Sequence, residues 1–223
     1  LPVTIQYFRA MVAWMQQSVF STGLSRRQML IGGMALAAVP ASVAKASAPI
    51  IRVDNLNPAL LERARAAMVR HAPLVRNRER LALVDFSQAS REARLSIVHL
   101  PSGQGLQMLV AHGRGSDPDH SGWLNWFSNE PGSLASSQGA YLTAARYVGV
   151  HGDAQRLIGL DPGNSNAEAR AIVIHGADYV SEDLILTQGK LGRSEGCFAL
   201  RHDDISMALS LLGEGTLLYA DRI

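Results

Sequence analysis

The sequence predicts a mainly β fold, a sheet or barrel with flanking helices, forming a single domain behind an N-terminal export segment. Three observations carry this expectation. Short stretches with strand-like patterning recur every 10–20 residues from position 81 onward. Gly, Pro, Asp and Ser separate them, as turns require. Helical periodicity is confined to one stretch near each end, with no alternating strand–helix rhythm, which argues against a doubly wound parallel sheet. The 223 residues, 47% hydrophobic and 18% charged, suit one well-cored domain plus an extension.

The chain opens with residues that read as an address. It begins at Leu1, and Met11 or Met15 is a candidate start. Ser25-Arg26-Arg27-Gln28-Met29-Leu30 precedes an uncharged run from Met29 to Val43, rich in Ala, Gly, Leu and Met. Small residues around Ala44-Lys45-Ala46-Ser47-Ala48 close it and offer cleavage sites. A basic flank, a short apolar stretch and a small-residue end are the parts of a secretory signal. Paired arginines before a moderately hydrophobic stretch resemble a twin-arginine signal. Pro49 would obstruct a cut after Ala48, so cleavage is expected after Ala46 and residues 1–46 are assigned to the signal. A membrane anchor is the competing reading. The apolar run of 15 residues falls short of the roughly 20 that span a bilayer, and Pro40 interrupts it.

This segment also explains the charge. The whole chain has 21 Lys+Arg against 19 Asp+Glu, a formal +2. Residues 1–48 hold Arg9, Arg26, Arg27 and Lys45 and no acid, which leaves 17 basic against 19 acidic residues, or −2, beyond them. A surface that neutralises phosphates needs clustered Lys and Arg on the folded domain, so no nucleic-acid partner is expected.

Asn57-Pro58 reads as an N-cap followed by proline at the first helical position. Leu60, Leu61, Ala64, Met68 and Val69 would form the apolar face of that helix, and Pro73 ends it. Candidate strands follow at Leu81–Phe86, Arg94–Leu100, Leu106–His112, Ala140–Arg146, Gln155–Leu160 and Ala171–His175. The Pro101–Gly105 stretch reads as a hairpin connection. A second helix is expected over Asp203–Leu212, with two acids in its first turn and Gly213 just past its end. Thr216–Ala220 makes a final strand. Ser116–Gln138 is a long loop, and long loops in compact domains are functional or mobile. Its Trp123 and Trp126 either serve that function or pin the loop to the core, the second being the commoner arrangement.

Cys197 is the only cysteine, which excludes an internal disulfide and a multi-cysteine zinc site. It lies in Gly192-Arg193-Ser194-Glu195-Gly196-Cys197-Phe198, whereas a structural cysteine is ordinarily set among apolar neighbours. Gly196 permits unusual dihedrals beside it, useful where backbone N–H groups converge on an oxyanion. Arg193 is a candidate to stabilise a thiolate or hold a substrate carboxylate. A cysteine nucleophile needs a base, and His175, at the end of an apolar strand and followed by Gly176, is the candidate. By spacing alone the pair is a weak signal, and unrelated structural roles stay open. His112, in a similar His-Gly setting, either lines the cleft, hydrogen-bonds the active-site loop, or simply packs there. A zinc site from His112, His175 and Cys197 lacks any paired ligand spacing.

Ile174-His175-Gly176 followed by Gly189-x-x-Gly192-Arg193-Ser194-x-Gly196-Cys197 resembles the His-Gly…Ser-x-Gly-Cys signature of L,D-transpeptidase catalytic domains of the YkuD type, closest to the murein branch. Val84-Asp85-Phe86-Ser87, Arg94-Leu95 and Ala111-His112-Gly113-Arg114-Gly115-Ser116 match the same branch in order, so the resemblance runs over about residues 55–220. With the change of periodicity at residue 81, the chain is expected to divide into the signal, a helical lead-in over residues 47–80 and a catalytic domain over residues 81–223. The resemblance implies that Cys197 is the nucleophile on peptidoglycan stem peptides and His175 the general base, oriented by the carbonyl of Gly176. Gly196 and Cys197 would form the oxyanion hole, and Arg193, Ser194 and His112 are candidates for substrate binding. No metal or organic cofactor is expected. Expected partners are stem peptides and the export machinery, the location is periplasmic, and no stable membrane span is expected after processing. Hydrolysis of the same bond, as an L,D-carboxypeptidase, and a catalytically silent wall-binding module are the alternatives; the presence of both Cys197 and His175 argues against the second. A cytosolic redox sensor conflicts with the signal. Two positions depart from the pattern: Glu195 stands where many relatives have His, and Phe198 where many have Pro. Glu195 is expected to face solvent or pair with Arg193.

Overall fold

The computed structural model describes residues 49–223. The expected signal over residues 1–46 lies outside them. The described residues form one mixed, β-rich domain of nine strands and three helices. The strands are β1 (Ile50–Arg52), β2 (Asn77–Asp85), β3 (Leu95–His99), β4 (Gln104–Met108), β5 (Gly139–Gly149), β6 (Gly152–Gly159), β7 (Val173–Gly176), β8 (Phe198–Leu200) and β9 (Thr216–Asp221). The helices are α1 (Pro58–Arg70), α2 (Glu182–Gln188) and α3 (His202–Leu212). All strands join one sheet in the order β1-β4-β3-β2-β9-β5-β6-β7-β8. The pairs β2·β9 and β7·β8 are parallel and the others antiparallel.

Alternation along β2 explains how a continuous apolar run serves two cores. Leu81 and Leu83 face one side with Leu60, Ala64 and Ala67 of α1. Ala82 and Val84 face the other, with Phe86, Tyr141, Phe198 and α3 residues such as Ala208 and Leu209. The start of α1 is as the sequence predicts: Asn57 Oδ1 accepts from the N–H groups of Ala59 at 3.1 Å and Leu60 at 3.4 Å. Such a cap stabilises a helix by about 1 kcal/mol. Its buried face differs by one residue. Ala67 is buried, while Val69 is 77% exposed. At α3, Arg201 grips Asp204 through two bonds of 2.7 and 2.9 Å, and Gly213 ends the helix with φ +60°.

Three elements were not expected. β1 adds an edge to β4, so the 47–80 segment contributes to the sheet as well as a helix. The three residues of β8 pair with β7, and α2 connects those two parallel strands in a strand–helix–strand unit. The expected Leu106–His112 strand ends at Met108 because the Arg94 guanidinium takes the Val110 carbonyl, at 3.1 and 3.0 Å. From there the chain crosses to the opposite edge, bridging Ala111 to Ala199 and Gly113 to Ser194, so the sheet curls towards closure. In the long loop, Leu124 is buried, whereas Trp123 and Trp126 are about half exposed. Among the described residues no helix is long and apolar enough to cross a membrane.

Candidate active site

β7 and β8 set the two principal side chains. In their parallel register Ile174 pairs with Phe198 and His175 with Ala199. Cys197 therefore stands just before β8, level with Val173. Phe198 anchors this position, buried edge-on to Tyr141 at 5.3 Å. His175 and Cys197 line one cavity of about 460 Å³ with Tyr147, His151, Tyr179 and Arg193.

The loop before Cys197 is held by its own serine. Ser194 Oγ donates to the Cys197 carbonyl at 2.7 Å and accepts from the Gly196 N–H at 3.1 Å. Its backbone is laced to the crossing segment: Ser194 N–H donates to the His112 carbonyl at 2.9 Å, and Arg114 N–H to the Ser194 carbonyl at 2.8 Å. Gly196 has φ +117°, and a Cβ there would lie 2.8 Å from the Ala135 carbonyl oxygen. Only glycine fits that turn without displacing backbone.

His175 is 4% exposed, and its Nδ1 lies 2.9 Å from the Gly176 carbonyl oxygen. A carbonyl only accepts, so Nδ1 carries the proton and Nε2 is left as a bare acceptor. Burial pushes the His175 pKa down, the Gly176 bond offsets part of this, and nearby His151 and His202 push it further down. Cys197 Sγ lies 3.6 Å from the Ala171 carbonyl oxygen. Burial raises the thiol pKa and so does Glu195, while the Val173 N–H and the Arg170 guanidinium work the other way. Both shifts favour the neutral forms, thiol and imidazole, over thiolate and imidazolium.

The remaining expected site residues fare differently. Arg193 lines the cavity, but its Nη1 is committed to the carbonyls of Asp117 and, at 3.1 Å, Pro118. Ser194 is 3% exposed and braces the turn. The Gly196 N–H is engaged by Ser194, which leaves that of Cys197 as the loop's candidate oxyanion donor. Glu195 faces solvent, yet pairs with Arg114 at 2.7 Å and not with Arg193.

His112 is not among the residues that line this cavity, although its backbone carbonyl holds the loop before Cys197. It is fully buried, with Nδ1 accepting from Arg94 at 2.7 Å and Nε2 facing Asp117 at 3.3 Å. Burial, then the Arg94 charge, push its pKa down to about 3. Burial alone would raise the Asp117 carboxylate, but hydrogen bonds from Ser121, Gly122 and His112 hold it below the ordinary range. Among the described residues no group of three His, Cys, Asp or Glu is placed to hold a metal ion.

Two contributors escaped the sequence reading. Arg170 sits beside Gly196 and ties down the long loop through the Ser128 carbonyl at 2.8 Å and Ser137 Oγ at 2.6 Å. His151 stacks on His175, with ring centroids 4.6 Å apart. Neither lies near Cys197 in the chain, and no local motif announces either.

A model of the L,D-transpeptidase catalytic domain matches residues 52–220. Among solved structures, the chain is similar to an L,D-transpeptidase from Mycobacterium smegmatis at 15% identity, over 64% of this chain and 58% of that one, with a TM-score of 0.39. It is similar to an L,D-transpeptidase from Mycobacterium tuberculosis H37Rv at 14% identity, over 65% and 58%, with a TM-score of 0.37. Bd1075 from Bdellovibrio bacteriovorus is similar at 18% identity, over 63% and 47%, with a TM-score of 0.36. The chain thus spans less than two thirds of the length of these proteins. None of the curated proteins matches it.

Proposed function

The chain belongs to the L,D-transpeptidase catalytic-domain family, and on that premise we propose that it is a cysteine-dependent acyltransferase acting on peptidoglycan stem peptides. The observation that carries this reading is the state of His175: its Nδ1–H is spent on the Gly176 carbonyl, so a bare Nε2 shares one cavity with the only thiol in the chain.

The chemistry follows from that arrangement. With a stem peptide bound, Nε2 takes the Cys197 proton as sulfur adds to the carbonyl of the diaminopimelate–D-Ala bond. Starting neutral matters, because charge then develops only as the transition state forms. The backbone N–H of Cys197 stabilises the oxyanion. The imidazolium, steadied by the Gly176 carbonyl, returns its proton to the departing D-Ala amine and a thioester remains. The amine of a second stem attacks it, Nε2 accepts that amine's proton, and the thiol is released with a new amide bond. Arg170 favours the thiolate character that passes through Cys197 in both steps.

Product analysis tests the proposal. The protein is incubated with a defined muropeptide tetrapeptide, with and without an amine acceptor, and the products are weighed. Transfer product that depends on the amine supports the reading; hydrolysed tripeptide alone under both conditions replaces it with carboxypeptidase action. The same reading places the protein outside the cytoplasm, delivered by the Arg26-Arg27 signal. Replacing both with Lys is expected to retain it in the cytoplasmic fraction, and unchanged export would assign the general secretory route.

A further inference from the structure

The turn between β5 and β6 does something that hairpin packing alone does not require. Gly149 pairs with Gly152, so Val150 and His151 form a two-residue turn at the tip. That tip is not packed for stability: Val148 is 79% exposed and Val150 97% exposed. The His151 ring nevertheless lies over the His175 ring, centroids 4.6 Å apart and planes inclined by 25°. His175 itself is held from below. Its strand is paired to β6 through Ala154 and to β8 through Ala199, and Nδ1 is fixed to the Gly176 carbonyl.

We propose that His151 is a positioning residue for the general base: its ring forms the outer wall that fixes the His175 imidazole and keeps bulk water off it. The proposal rests on the reading of His175 as base and adds a residue that the cysteine–histidine signature does not contain. Two physical effects follow from the stack. Ring-on-ring contact restricts rotation about the His175 side chain, so Nε2 stays directed into the cavity. The same contact excludes solvent, which disfavours the protonated ring. Other titratable or charged groups around His175 are Cys197, Tyr147, Tyr179, Arg193 and Glu195 on the cavity walls and His202 at the start of α3, itself paired with Asp178 at 3.2 Å. None of these is seen stacked on the ring.

The experiment compares His151→Ala with His151→Phe, which keeps an aromatic ring and discards the polar nitrogens. In the Ala variant, acylation of Cys197 by a stem tetrapeptide is expected to fall about tenfold. The acid limb of its pH–rate profile should move to higher pH, since a better-hydrated His175 protonates more readily. The Phe variant is expected to stay within about twofold of the parent rate. NMR titration of the His175 ring in the same proteins reads the stack without substrate, and an upward shift is expected in the Ala variant. An unchanged rate and an unchanged titration in the Ala variant overturn the proposal. So does a Phe variant as slow as the Ala variant, which would give His151 polar chemistry of its own. Because the titration needs no turnover, a parent protein that fails to acylate would count against the acyl-transfer reading and leave the test of the stack intact.

Discussion

His112 and His175 start from the same local pattern. Each ends an apolar stretch, each is followed by glycine, and each is buried. What separates them is the second ring nitrogen. In His112 both nitrogens are engaged, one by the Arg94 guanidinium and one by the Asp117 carboxylate. In His175 only Nδ1 is engaged, by the Gly176 carbonyl, and Nε2 opens on the cavity that holds Cys197. The first ring is a neutral bridge between two buried charges; the second keeps a free lone pair, which the proposed base requires. Position at a strand end therefore does not equip a histidine for proton transfer. A partner on one nitrogen and space at the other are what such a role needs.

Substituting each histidine should break the comparison in opposite ways. His175→Ala removes the proton acceptor and is expected to lower Cys197 acylation by about 10²–10⁴-fold, with the fold retained. A change of only twofold, measured by single-turnover acylation, would remove His175 from the mechanism. His112→Ala is expected to act on stability instead. It strips a partner from buried Arg94 and from Asp117, a loss of about 3 kcal/mol, read as a lower urea midpoint. A variant as stable as the parent would show that the buried network is not what holds the crossing segment.

The pH dependence of stability should carry the signature of the same ring. The folded protein keeps His112 neutral until about pH 3, whereas in the unfolded chain it protonates near its ordinary 6.5. Between those values the unfolded chain binds more protons, so stability is fully present above the unfolded value and declines as pH falls towards the folded one. The Asp117 carboxylate, held below its ordinary range, adds a loss of the same sign at the acid end. Urea midpoints measured from about pH 7 to pH 4 should fall steadily, and midpoints flat across this window would contradict a neutral His112.

The contrast also marks what the sequence discloses. Asn57-Pro58 announces α1 because a cap and a proline act within one turn, and the alternation in β2 announces its two buried faces. β1 and β8 are three residues each, too short to show a period, and their place comes from pairing with strands distant in the chain. The Gly196-Cys197 turn is legible because a positive φ beside backbone demands glycine. The fate of His112 is not, since Arg94 is 18 residues away and its guanidinium reaches the ring only once β3 and the crossing segment are adjacent. His151 is hidden for the same reason: 24 residues separate it from His175, and only the β6–β7 pairing brings the turn over that ring. Motifs report what is local, and the partner that decides a side chain's chemistry is often not.

The central claim is that Cys197 is the group that becomes acylated. Intact-mass measurement after brief exposure to a stem tetrapeptide tests it directly. The parent protein should gain the mass of the donor less D-Ala, localised by peptide mapping to Cys197, and Cys197→Ala should gain nothing. An equal mass gain in the Cys197→Ala protein, or an adduct mapped to any other residue, would contradict the account.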